Sequence, residues 1–146
     1  MFEFTIDTEI ERPVTDVFAY VADPTKLSIW QANTISVTQE GNGPLRVGTQ
    51  LREIHRLPDG RELESLVEVT ELEPERKLSA RTLEGPLPLD AYFSFAPTEA
   101  GTLLTFKASC QPTGTLRFAQ RLLRRGLAHQ FGNYCTTLKQ LLEAEA

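Results

Sequence analysis

The chain has 146 residues, 40% of them hydrophobic, with a formal net charge of −5 at pH 7. That length and apolar content support one domain over residues 1–146 with a sizeable core and exclude a disordered chain. The acidic balance argues against a general nucleic-acid or membrane-surface role, because phosphate binding needs a cationic face, and the arginines near the C-terminus are the only local exception. No apolar run approaches the ~20 residues of a membrane span, so no membrane insertion is expected.

Phe2, Phe4, Ile6, Thr8 and Ile10 alternate with Glu3, Thr5, Asp7 and Glu9, the period of a half-buried strand and unlike the basic-then-apolar pattern of a signal peptide. A cytoplasmic location is therefore expected. Pro13 pre-sets a helix start, and Val14, Val17, Phe18 and Val21 recur at helical spacing until Asp23-Pro24 closes the segment. Asp23 can cap a second short helical segment carrying Leu27 to Trp30.

From Thr34 to Gln111 every apolar run is short and bounded by turn residues such as Gly41-Asn42-Gly43-Pro44, Glu73-Pro74-Glu75 and Gly85-Pro86-Leu87-Pro88. This predicts an antiparallel meander of six strands. Pro58-Asp59-Gly60 suits a three-residue hairpin loop, a type I turn followed by a left-handed Gly. Counting back from it, Leu57 pairs with Arg61, His55 faces Leu63, Glu53 faces Ser65 and Leu51 faces Val67. Leu63, Ser65, Val67 and Val69 form the apolar side, so Glu53 and His55 are expected to point inward.

An inward carboxylate costs several kcal/mol unless it is paired, hydrogen-bonded or wetted. Three readings stay open for Glu53 and His55: a register slip or bulge that turns both to solvent, a structural contact with each other or with Ser65, and an acid/base or ligand-anchoring pair.

Thr115 to Glu145 predicts one long helix of ~45 Å, with Leu116, Leu123, Leu127, Tyr134, Leu138 and Leu141 on one stripe. Tyr134 sits mid-stripe, as a core ring or as a hydroxyl aimed at a ligand. Trp30 either rims a cavity mouth or packs against the first strand. Gly126 and Gly132 each cost ~1 kcal/mol inside a helix and are expected to permit close backbone approach or a slight kink. Arg117, Arg121, Arg124 and Arg125 read as a solvated face, or as an attraction for an acidic partner or an anionic ligand head group. Phe118, off the stripe, marks a small contact surface, and a monomer or homodimer is expected. His129 reads as a surface residue. Cys110 and Cys135, with no CxxC spacing, are expected to be small buried residues. No metal site and no cofactor are expected.

This order of elements resembles the helix-grip fold of the START-like superfamily (SRPBCC), typified by the major birch-pollen allergen, over essentially the whole chain. Its most specific segment is Pro13-Val14-Thr15-Asp16-Val17-Phe18 through Asp23-Pro24 to Leu27 and Trp30, which looks like the Pro-x-x-x-Val-Phe, Asp-Pro and Trp pattern of the polyketide cyclase/dehydrase-like branch. Gly48-Thr49 and Gly101-Thr102 resemble that family's glycines at strand starts. The resemblance implies an α+β fold: a seven-stranded curved antiparallel sheet, two short helices after the first strand, and a long C-terminal helix gripped by the sheet. It also implies an apolar cavity for a hydrophobic or aromatic small molecule that is lipid-, polyketide- or quinone-like. Candidate ligand-binding residues are Trp30, Leu51, Val67, Phe93, Phe95, Phe106, Leu123, Leu127, Phe131 and Tyr134. The alternative is a cofactor-free cyclase, dehydratase or isomerase in which Glu53 takes a proton beside a carbonyl and His55 or Tyr134 donates to the developing oxyanion. The chain has no GxGxxG, phosphate loop, HExxH or Gly-x-Ser-x-Gly motif, which disfavours nucleotide- or metal-dependent chemistry.

Overall fold

The computed structural model describes residues 1–57 and 59–145. The N-terminal alternation forms β1 (Phe2–Ile10), with Phe2, Phe4 and Ile10 buried and Glu3, Thr5, Asp7 and Glu9 exposed. Pro13, at φ −58°, leads into α1 (Val14–Val21), which buries Val17, Tyr20 and Val21. Asp23 accepts a hydrogen bond from the Thr25 amide at 3.0 Å, capping a 3₁₀ turn over Pro24–Lys26 that continues into α2 (Leu27–Trp30). A short side-chain acceptor and a proline just behind it are what start such a segment.

The meander then runs through β2 (Thr34–Glu40), β3 (Gln50–Arg56), β4 (Glu62–Glu73), β5 (Lys77–Glu84), β6 (Leu89–Pro97) and β7 (Thr102–Cys110). Neighbours in the sheet run in the order β1-β7-β6-β5-β4-β3-β2. The first strand thus pairs with the last, Phe2 opposite Cys110 and Ile10 opposite Thr102.

The β3–β4 hairpin has the register counted from its loop. Leu51 faces Val67, Glu53 faces Ser65, His55 faces Leu63 and Arg56 faces Glu62. The Leu57 amide donates to the Arg61 carbonyl at 2.8 Å, and Gly60 takes the left-handed conformation at φ 89°. Pro58, expected to open that turn, lies outside the described residues.

The C-terminal helix differs from expectation at its start. Residues Gly114–Ala119 form 3₁₀ turns, and the α-helix proper, α3, spans Gln120–Ala144, about 37 Å at 1.5 Å per residue. Three residues per turn rotate the upstream side chains off the stripe, so Leu116 is exposed. The buried face of α3 is Tyr134, Cys135, Leu138 and Leu142.

Two clusters make the core. One joins α1 and α2 to the C-terminal half of α3 through Ile10, Val17, Trp30, Phe95, Leu104 and Leu138. The other packs Phe2, Phe4, Phe106, Ala108, Cys110 and Cys135 beneath the N-terminal half of α3. Both cysteines are free and buried. Gly126 and Gly132 correct the expectation of close approach: a Cβ at either would meet nothing within 4 Å. No helix among the described residues is long and apolar enough to cross a membrane.

Candidate functional site

Concave sheet and helix do not meet everywhere. Between them lie two adjoining cavities, an inner one of about 140 Å³ and an outer one of about 290 Å³. The inner cavity is walled by Leu51, Val67, Val69, Leu78, Phe93, Phe106 and Phe131. Phe131 stacks on Phe106, with ring centroids 4.6 Å apart and planes at 17°. The outer cavity is lined by Gln31, Asn33, Glu53, His55, Ser65, Gln130 and Tyr134, with Leu63, Leu87, Leu89 and Leu127 around them, while Ser79, Arg81 and Thr82 border the inner one. Glu53, Val67 and Phe131 border both, which puts the carboxylate where the apolar and polar ends join.

The hairpin register aims Glu53 and His55 at this cavity, because side chains alternate faces and Leu51 and Val67 hold the same face in the core. The Glu53 side chain is 15% exposed and that of His55 29%, so both are sequestered without being sealed from water. His55 Nε2 lies 3.2 Å from Glu53 Oε1 and 3.2 Å from Ser65 Oγ. His55 Nδ1 lies 3.3 Å from Thr34 Oγ1, and Thr34 donates to Gln31 Oε1 at 3.3 Å.

Donor counting follows from these contacts. A hydroxyl has one proton, and Thr34 gives it to Gln31, so Thr34 accepts from His55 Nδ1–H. That leaves Nε2 between the Glu53 carboxylate and the Ser65 hydroxyl, within reach of both. Glu53 and His55 are therefore in side-chain contact at the edge of an apolar cavity.

Tyr134 closes the same end from the helix. It is 4% exposed, and Gln130 Nε2 donates to its phenol oxygen, leaving the phenol proton available to another acceptor. Burial pushes the phenol up from its ordinary value and the Glu53 charge adds to this, against hydrogen bonding from Gln130 and Asn33. Tyr134 is thus a neutral donor throughout the neutral range.

Of the candidate ligand-binding residues, Leu51, Val67, Phe93, Phe106, Leu127, Phe131 and Tyr134 line the two cavities. Three do not. Phe95 shares a face with Phe93 but lies one pleat further along β6, where α1 covers the sheet and Phe18 meets it edge-on at 5.1 Å. Leu123 packs on the cluster of Phe2 and Phe4. Trp30 does not rim the mouth; it is fully buried, edge-on to Phe93 at 6.1 Å, with its indole N–H unpaired. His129 is exposed on the far side of α3.

Sequence reasoning missed Gln130 and Thr34. Gln130 was legible, since a residue four before Tyr134 shares its helix face. Thr34 opens β2, and the long irregular connection from β2 to β3 fixes no countable register. Among the described residues no group of three or more His, Cys, Asp or Glu is placed to hold a metal ion.

Solved structures share this architecture at low identity. StfQ, a di-domain ARO/CYC protein of the steffimycin biosynthetic pathway, superposes with a TM-score of 0.82 at 17% identity over 98% of this chain and 51% of its own. This chain thus spans about half the length of StfQ. TTHA0849 from Thermus thermophilus matches with a TM-score of 0.83 at 16% identity over 99% of both chains. NE0264 from Nitrosomonas europaea matches with 0.78 at 20% identity, over 98% of this chain and 95% of its own. At such identities the likeness is one of fold. No curated protein is recognisably similar in sequence. A family profile described as "Polyketide cyclase / dehydrase and lipid transport" matches residues 1–143. A match over nearly the full length cannot come from one shared hairpin or helix, and so the chain belongs to that family.

Proposed function

We propose that the protein binds a hydrophobic or aromatic small molecule, polyketide-, quinone- or lipid-like, in the cavity between sheet and α3. A carbonyl or hydroxyl of the ligand lies at the end lined by Tyr134, Glu53 and His55. The observation that carries this reading is the junction of aromatic walls with a buried phenol whose oxygen already accepts from Gln130. Such a phenol is held in place and has its proton free for the ligand. Apolar burial at ~25 cal/mol per Å² supplies affinity, and the polar end supplies orientation.

The test is native mass spectrometry of freshly purified protein against its denatured mass, with identification of any small molecule released on unfolding. A stoichiometric apolar or aromatic companion supports the proposal. A clean apo mass, together with no binding of aromatic ketones or quinones by calorimetry, refutes it.

The contact of Glu53 with His55 at the cavity edge favours a second reading, a cofactor-free cyclase or dehydratase. Glu53 removes a proton from the carbon beside a bound carbonyl. The C–H electrons move into an enolate whose oxygen accepts a hydrogen bond from the Tyr134 phenol, and the proton held on Glu53, beside His55, then goes to the carbonyl oxygen that the enolate carbon attacks in a cyclisation, or leaves with a ligand hydroxyl as water in a dehydration. Glu53→Gln then lowers turnover of the recovered compound by at least ~100-fold while leaving its affinity within about twofold. Unchanged turnover removes this reading and leaves the binding proposal intact.

A further inference from the structure

Between Glu99 and Glu143 the chain has no acidic residue and six basic ones. Four of these, Arg117, Arg121, Arg124 and Arg125, fall within nine residues that lead into and begin α3. The same stretch carries the two most exposed large apolar side chains among the described residues, Phe118 at 78% and Leu122 at 73%. None of the four arginines pairs with a carboxylate among the described residues. Arg124 instead donates to the Glu3 carbonyl at 2.7 Å, and the Arg117 guanidinium lies 4.8 Å from the centroid of the Phe118 ring. Phe118 and Leu122 are four residues apart, as are Arg121 and Arg125, and each arginine follows an apolar residue by three, so the four share one outward face.

We infer that this face, residues 114–125, docks on an anionic phospholipid bilayer. Unpaired guanidiniums beside exposed Phe and Leu match a surface with phosphates outermost and acyl chains just beneath. A purely acidic protein partner accounts for the arginines and leaves Phe118 and Leu122 without a role. A second copy of the chain accounts for the apolar pair, but a two-fold interface sets Arg121 and Arg125 against their own copies, like charge on like. On the opposite side of this stretch Leu123 turns inward, and one turn further along α3 Leu127 does the same and lines the outer cavity together with Leu87. The docking face thus adjoins the cavity, and a docked protein holds that end close to the lipid. The inference goes beyond the small-molecule reading, and its test does not depend on any ligand.

The test is flotation with phosphatidylcholine vesicles, with or without about one third phosphatidylglycerol. Wild type is expected to float with the anionic vesicles, to remain unbound on pure phosphatidylcholine, and to dissociate as salt rises from about 0.1 M to about 0.5 M. Arg121→Gln/Arg125→Gln is expected to weaken partitioning at least tenfold, given about a fivefold contribution per basic residue at such a surface. Phe118→Ser/Leu122→Ser is expected to do the same at unchanged charge, with thermal unfolding confirming that both variants fold. No flotation of wild type, equal binding to neutral vesicles, or flotation indifferent to both variants overturns the inference. So does a micromolar homodimer by sedimentation velocity that Phe118→Ser/Leu122→Ser dissolves, in the absence of vesicle binding.

Discussion

Tyr134→Phe removes one oxygen from the polar end of the cavity and leaves the ring in place. The ring keeps its edge-on contact with Phe131, at 5.2 Å and 74°, so no void opens and the stability change is that of a hydrogen bond. Gln130 loses its acceptor, but it is half-buried and water can replace the phenol. The expected cost is therefore about 1 kcal/mol, or about 2–4 °C in Tm for a chain of this size. The effect on ligand is larger if the phenol donates to it. An acceptor carried into the cavity without its donor loses ~1–3 kcal/mol, and partial access to water keeps the loss toward the lower end, about tenfold in Kd. Because burial holds the phenol protonated, the ratio of wild-type to variant affinity should stay flat from pH 6 to about pH 9. Calorimetric titration of both proteins with the compound recovered from the native protein measures this, alongside thermal unfolding. An affinity within twofold of wild type, with the small Tm loss still present, would show that the hydroxyl serves only Gln130 and would refute its role in binding.

Three further outcomes are expected. Gly101→Ala should cost about 3 kcal/mol or more in urea unfolding, because its Cβ would sit 2.3 Å from the Ile10 carbonyl oxygen and 2.7 Å from the Arg12 nitrogen, where only backbone movement relieves the clash; near-wild-type stability would contradict the packing of that turn under the β1–α1 junction. Gly126→Ala and Gly132→Ala, with nothing to meet within 4 Å, should each stabilise the protein by ~1 kcal/mol, and a loss of stability at either would mean that its backbone does not stay helical. Burial holds the Cys135 thiol at about 11 against an ordinary 9.0, so its contribution is complete below pH 9 and lost as pH rises toward 11, about 2–3 kcal/mol. Cys110, Tyr20 and Tyr134, all pushed up chiefly by burial, act in the same direction. Comparing urea unfolding at pH 8 and pH 10.5 in wild type and Cys135→Ala should show a smaller alkaline loss in the variant, and an equal loss would exclude the thiol as a source.

The hairpin that aims Glu53 and His55 was legible because a short loop with Gly at its left-handed position fixes register, and register fixes which face every later residue takes. The same counting stops at β2, where a connection from Gly41 to Thr49 sets no pairing, and Thr34 opposite His55 had to be seen. Phe93, Phe95 and Phe106 are likewise among the candidate cavity walls. Alternation could not tell that α1 covers Phe95, because it gives the face of a strand and not how far along the sheet a cavity extends. At the helix, apolar residues continue upstream of Gln120, so a pattern argument carries the stripe to Leu116. The tighter 3₁₀ winding of residues 114–119 changes the angle per residue and turns that stretch outward.

The polar end is assembled from two elements with different constraints. Glu53 and His55 ride on a hairpin whose seven paired positions are uninterrupted by a bulge, while Gln130 and Tyr134 ride on a helix that has two glycines nearby, each without a neighbour to hold it. Any change in how α3 lies on the sheet therefore moves the phenol relative to a nearly fixed carboxylate and imidazole. A binding protein tolerates that movement, since aromatic walls adapt to the ligand. Proton transfer does not, because it needs reacting atoms held within hydrogen-bond reach. The two readings of the cavity thus diverge on rigidity as well as on Glu53: stiffening α3 with Gly126→Ala and Gly132→Ala should slow ligand exchange if the protein is a carrier, and should preserve or raise turnover if it is an enzyme.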